Sequence, residues 1–517
     1  MVRDTWNHIL SKSRSTTFRW ETILLTALGI LYFLASSNIY PAEDAVMLFD
    51  YSRNLADRGV ITYGSGTAVP IEGATDFLYM LLVAILSKCG VSEFEAALSL
   101  NFLGIILICH VMLKSTQKIW VPLVAVIGTP YLYASLLGFS AMSFASVYML
   151  AVYLLLNQDR RTYLAAIGMC LVRPDGVVWC IGIIAARLSS IEKSQRASDL
   201  KYLLGYFVAP GILYFIWRLW YFKEWLPLPF LVKSSGERSL AQILDALLPI
   251  LIPTISVLLC ADDRWRLTKT SIVLFSMPIL FYSVMRLEQN TGNRFLSPLF
   301  FGMLLLVGTE RSLRLIILFI FLSICLGYPM LSTALQNMAY TTNETSRPIG
   351  VRLQHLSRGK LLSTEAGNLA YYSTWTAEDS WGLNTPKYAH GLITTGEVAG
   401  GDYDLIVMHC DIGTLKSGRF PLTKATEVRS WANQCHSLEG FLRSSDYDVM
   451  LVPIVTSSTG KQADDSGSTC VRRLIYAISP HYKDHVQIRN MLMAFSAIPM
   501  NSSGNVYIGD AACSYSP

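Results

Sequence analysis

The chain has 517 residues, of which 52% are hydrophobic and only 15% charged, with a formal net charge of +5. Soluble domains carry about 25% charged residues, so the composition argues against a soluble globular protein. The small basic excess does not point to nucleic acid, because most of the cations lie in short loops between apolar runs, where they set membrane orientation.

Apolar runs of bilayer length recur through the first two thirds of the chain. The first, near residues 21–36, follows Arg3, Lys12, Arg14 and Arg19, so the N-terminus is expected in the cytoplasm. Residues 37–92 then form the first outer loop. Its apolar stretch at 77–86 is read as lying along the outer surface. If it crossed, Lys114, Lys118, Arg160 and Arg161 would all fall outside. Spans are expected near 93–113, 119–136 and 138–157. Residues 173–176 read Arg-Pro-Asp-Gly and break the next stretch into two short helices that meet at the outer face. Spans near 202–221, 244–260, 270–286, 295–309 and 313–331 follow, with Arg187, Lys193, Arg264, Lys269, Arg311 and Arg314 inside. The expectation is a polytopic α-helical protein of about eleven spans over residues 1–331. Residues 332–517 contain no spanning run and form an outer soluble α/β domain. Cys410, Cys435, Cys470 and Cys513 lie in it, as two disulfides or as buried thiols.

The polar segments least like connectors all emerge on the outer face. Glu43-Asp44 follows the first span at once. Paired carboxylates there suit a general base or a cation ligand. Alternatively, Asp44 is the N-cap of a surface helix over 45–57. Arg173 and Asp175 are functional ions or a pair holding two short helices together. Lys233 follows Leu226-Pro227-Leu228-Pro229, and Arg294 opens a span. Each binds a lipid phosphate or snorkels to headgroups. His390 and His409 lack zinc-ligand spacing.

The order of these motifs carries a resemblance. Glu43-Asp44-Ala45, then Tyr51-Ser52-Arg53-Asn54-Leu55-Ala56, then Ile71-Glu72-Gly73-Ala74-Thr75-Asp76-Phe77-Leu78 resembles the first outer loop of membrane glycosyltransferases of the GT-C fold, in particular the arabinofuranosyltransferase-like group. Arg173-Pro174-Asp175-Gly176, Leu226-Pro227 through Lys233, Arg294-Phe295 with Pro298, Glu365-Ala366-Gly367 and Gly382-Leu383-Asn384 extend it over most of the chain. The chain departs from the pattern at Gly138-Phe139-Ser140-Ala141, where the family often has a carboxylate, at Glu43 in place of Asp, and at Ala74 in place of an aromatic residue.

The resemblance implies inverting transfer of a sugar from a polyprenyl-phosphate donor to an outer acceptor, which is a glycan, a lipopolysaccharide or a pilin-like protein. Asp44 is then the general base, with Glu43 in support. Lys233, Arg294 and Arg173 hold the donor phosphate, and Asp175, Glu72, Arg53 and Asn54 support the acceptor or the local structure. A divalent metal is compatible with the site, but nothing in the sequence requires one. A lipid-linked-sugar transporter or flippase, with repeats and interrupted helices in both halves, is the first alternative. A non-catalytic glycan-binding surface protein is the second.

Overall fold

In the computed structural model the described residues are 16–66, 69–233, 240–261, 264–285, 290–309, 312–409, 429–454, 462–463, 469–470 and 473–499. They divide into two compact units. One comprises residues 1–41, 76–220 and 239–339, and the other 42–75, 221–238 and 340–517.

The first unit is helical. Among the described residues, four helices are long and apolar enough to cross a membrane, at Glu93–Thr116, Arg196–Phe222, Ile243–Cys260 and Leu313–Asn343. Shorter apolar helices include Phe77–Lys88, Ala141–Leu156, Thr162–Val172 and Gly176–Ser190. The Glu93–Thr116 helix starts at a capping box: Ser92 Oγ accepts from Glu95 N–H at 3.3 Å while Glu95 accepts from Ser92 N–H. Within it, Gly104 lets the Ala141–Leu156 helix approach, since a Cβ there would lie 2.7 Å from the Met142 carbonyl. The interruption expected at 173–176 is present between Thr162–Val172 and Gly176–Ser190.

One expected span is interrupted. Residues 119–136 are two short helices, Trp120–Ile127 and Pro130–Leu136. Gly128 ends the first, and Pro130, which has no N–H to donate, starts the second. The last long helix also runs on to Asn343, beyond the expected boundary at 331.

The second unit holds a six-stranded sheet in the order β2-β1-β3-β7-β4-β8. Its strands are β1 (Lys360–Ser363), β2 (Thr376–Asp379), β3 (Leu405–Met408), β4 (Asp448–Pro453), β7 (Arg473–Ile478) and β8 (Ile498–Pro499); β5 (Gln462–Ala463) and β6 (Thr469–Cys470) form a separate pair. β1 runs parallel to β2 and β3, whereas β7 is antiparallel to β3 and β4. Every residue of β3 is buried, as expected of a central strand covered on both faces. Cys435 is disulfide-bonded. Cys410, Cys513 and the side chain of Cys470 lie outside the described residues.

Candidate functional site

The Glu43-Asp44 motif folds into the Glu43–Arg58 helix of the second unit. The helix begins two residues before the expected start. Ala42, in extended conformation, is the N-cap, and both acids lie in the first turn. Asp44 is therefore not the cap. A first-turn carboxylate still favours the helix through its dipole. Asp44 is half-buried.

Glu43 turns away from its own helix. Its two oxygens accept the backbone N–H groups of Gly367 and Asn368 at 2.6 and 2.9 Å. Position 367 has no room for a side chain, because a Cβ would come within 2.2 Å of the Glu43 carbonyl oxygen. Two further carboxylates lie close. Asn368 Nδ2 donates to Glu344 at 3.0 Å, the Ser346 hydroxyl also donates to Glu344, and Glu365 meets His409 Nδ1 at 2.5 Å. Burial first, then the charges of Glu344 and Glu365, pushes the Glu43 carboxyl well above the ordinary carboxylate range. Burial likewise pushes Glu344 up to about 7.

Arg53 and Asn54, expected to support the acceptor or the local structure, make contacts that hold the loop in place. Arg53 pairs with buried Asp50 at 2.6 Å, donates to the Tyr371 carbonyl at 2.8 Å, and lies 4.2 Å from the centroid of the Tyr371 ring. Asn54 Nδ2 donates to the carbonyls of Thr62 and Gly64 at 2.9 and 3.2 Å, while Gly64 N–H donates to Asp50 at 2.6 Å. Burial raises the Asp50 carboxyl, and Arg53 opposes that shift. Glu72 is buried, and its backbone carbonyl accepts from Leu228 N–H at 3.1 Å. Next to it, Gly73 closes over Tyr51, whose hydroxyl donates to Asn384 Oδ1 at 3.0 Å. Asn384 in turn donates to the buried Asp379 carboxylate. Lys233 ends the Leu228–Lys233 helix, and its side chain lies outside the described residues.

The remaining candidates sit in the first unit. Arg173 and Asp175 form two parallel hydrogen bonds, Nε to Oδ1 and a terminal nitrogen to Oδ2, each 2.9 Å long. The Tyr282 hydroxyl also donates to Asp175, and Trp179 Nε1 donates to Tyr282 at 3.4 Å. The pair thus links the broken helix to the Arg264–Val284 helix that carries Tyr282. The Arg173 guanidinium lies 4.8 and 5.2 Å from the ring centroids of Phe295 and Phe144. Arg294 projects from a tight turn at Thr291–Leu296, where Gly292 and Asn293 take positive φ of 61° and 55°. Asn293 Nδ2 anchors that turn on the Ala246 carbonyl at 2.8 Å. The Arg294 guanidinium lies 3.5 Å from the centroid of the Phe139 ring, close enough for a cation–π contact.

The loop at residues 138–141, where a carboxylate is absent from the sequence, is held by buried Asn101. Its Nδ2 donates to the carbonyls of Phe139 and Ser135 at 2.8 and 3.3 Å, and its Oδ1 accepts from Ser143. Ser140 Oγ donates to Asp76 at 2.6 Å. A carboxylate therefore reaches this loop from residue 76.

Of the expected set, Glu43, Asp44, Arg53, Asn54, Glu72 and Lys233 belong to one unit, and Arg173, Asp175 and Arg294 to the other. Sequence reasoning missed Asp50, Asp76 and Glu344. Only Asp76 lay inside a quoted motif. Among the described residues, no group of three or more His, Cys, Asp or Glu side chains is placed to hold a metal ion.

No protein-family model and no curated protein matches the chain. Among solved structures, it is similar to a crystal structure of ArnT from Cupriavidus metallidurans in the apo state, with 11% identity and a TM-score of 0.52. The match covers 90% of this chain and 98% of that one, and the likeness supports the GT-C fold.

Proposed function

We propose that the protein is a membrane glycosyltransferase that moves a sugar, arabinofuranose by the motif resemblance, from a polyprenyl-phosphate donor to an acceptor outside the cytoplasm. The observation that carries this reading is the placement of the outer-loop acids on a fold shared with ArnT. Glu43 is committed to two backbone N–H groups, and Asp44 lies beside it in the first turn, half-buried.

In this mechanism Asp44 takes the proton from the acceptor hydroxyl as that oxygen attacks the anomeric carbon. The sugar passes through an oxocarbenium-like state and inverts. The leaving polyprenyl phosphate gains charge, which Arg294 and Lys233 offset. Arg173 already answers Asp175, so its part is to shape the positive region more than to bind phosphate alone.

The reading places about eleven spans in the bilayer, the N-terminus inside, and residues 340–517 on the periplasmic or extracellular side. The disulfide at Cys435 supports an oxidising compartment for that unit. The acceptor is a glycan, a lipopolysaccharide or a pilin-like protein. The test is transfer by purified protein from a panel of polyprenyl-phosphate sugars to cell-envelope extracts, followed by mass spectrometry. Failure to transfer any sugar of the panel would sink the proposal.

A further inference from the structure

Asp76 occupies the N-cap position of the Phe77–Lys88 helix but does not cap it. An aspartate there ordinarily accepts a hydrogen bond from a first-turn N–H. Here the backbone adopts φ −85° and ψ 65°, and the side chain makes no capping bond. Instead Oδ2 accepts from Ser140 Oγ at 2.6 Å. Ser140 is itself held in place by Asn101 through the neighbouring Phe139 carbonyl. Asp76 is half-buried, and among the described residues its Oδ1 makes no hydrogen bond.

The charges acting on Asp76 are those of Arg173, Arg294 and Asp175. Asp76 is hydrogen-bonded to neither arginine. Arg173 is paired with Asp175, and Arg294 stacks on Phe139, the residue next to Ser140. A phosphate drawn to these arginines would meet a carboxylate of like charge. The two anions are compatible when a group rich in hydroxyl donors lies between them, and a glycosyl group joined to the phosphate is such a group. Ser140 spends its donor on Oδ2, which orients the carboxylate and leaves Oδ1 as an acceptor.

We propose that Asp76 accepts hydrogen bonds from hydroxyls of the donor's sugar, oriented by Ser140, and so determines which sugar the site takes. This inference rests on the glycosyltransferase reading and extends it from the phosphate to the sugar.

The test uses full-length protein in nanodiscs and four probes: decaprenyl phosphate and its arabinofuranosyl, mannosyl and glucosyl esters. Wild type is expected to bind one ester more tightly than the bare phosphate. Asp76→Ala is expected to weaken that ester by about 10- to 100-fold, the loss of a hydrogen bond to a charged group. Binding of decaprenyl phosphate should stay level or tighten, which also shows that the variant is folded. Asp76→Asn, which keeps a neutral acceptor, and Ser140→Ala should fall between. A wild type that binds the bare lipid with no preference among the esters overturns the inference, as do Asp76 variants that keep the wild-type preference. A wild type that binds none of the four lipids overturns the donor reading itself.

Discussion

The carboxylate of Glu43 accepts the backbone N–H of Asn368, 325 positions further along the chain, at 2.9 Å. The first acid of the pair is therefore a structural tie, and under the proposed mechanism the chemistry falls to its neighbour. Asp44→Asn should leave folding and donor binding intact while lowering transfer by about 10²–10⁴-fold, the usual contribution of a general base. Unchanged turnover in purified Asp44→Asn protein would remove Asp44 from the mechanism.

Glu43→Gln should show the opposite pattern. Its amide places an NH₂ group against one of two backbone donors, so a hydrogen bond is lost and a buried donor is left without an acceptor. The expected cost is about 1–3 kcal/mol of stability, with a smaller loss of activity than in Asp44→Asn. Chemical denaturation of the two variants side by side reads the difference.

Arg53→Ala should destabilise strongly, because it strands the buried Asp50 carboxylate. Breaking a buried pair costs about 3–5 kcal/mol. Arg53→Lys should recover only part of this, since one ammonium does not reproduce the fork that reaches both Asp50 and the Tyr371 carbonyl. Limited proteolysis of residues 59–66 is the readout. If Arg53→Ala melts like wild type but loses acceptor affinity, Arg53 is a binding residue after all.

Stability should fall as pH rises through neutrality. Burial pushes Glu344 from an ordinary 4.5 up to about 7, and Asp379 from 3.8 up to about 6. Between each pair of values the folded chain holds a proton that the unfolded chain has released. The contribution is therefore complete below the lower value and lost as pH passes the upper one. Wild type should melt lower at pH 8 than at pH 5, and Glu344→Gln should narrow that gap. A gap of equal size in the variant would show that Glu344 does not carry it.

A reporter active only in the cytoplasm, fused after Pro517, should be silent if the threading is right. A bright signal would place the second unit on the other side of the membrane and end the reading of the outer-loop acids as a periplasmic or extracellular site.

The apolar runs and the break at Arg173–Gly176 were legible because bilayer length and proline leave marks in sequence. The break at Gly128 and Pro130 left the same mark, a glycine and a proline two positions apart, but the surrounding apolar run masked it. The alternative that made Asp44 a cap rested on Asp being a favoured N-cap residue, which Ala42 is not. The extended backbone at Ala42 is set by the path of the chain. The role of Glu43 was not readable at all, since its partners are main-chain N–H groups, which every non-proline residue carries. Asp76 left only a faint signal, an aspartate just before an apolar helix. Its local context argues for a cap, and only the tertiary contact with Ser140 argues otherwise.

The second unit is assembled from three stretches of chain, and its ties reach far: Glu43 to Gly367 across 324 positions, Arg53 to Tyr371 across 318 and Tyr51 to Asn384 across 333. During synthesis the early stretch emerges long before its partners. At about 5–20 residues per second, it waits roughly 15–60 s with Asp50 and its polar neighbours still hydrated. Biogenesis thus has a late checkpoint. A nascent or truncated chain that ends before residue 367 presents an unfinished loop to quality-control proteases, however well its helices have inserted.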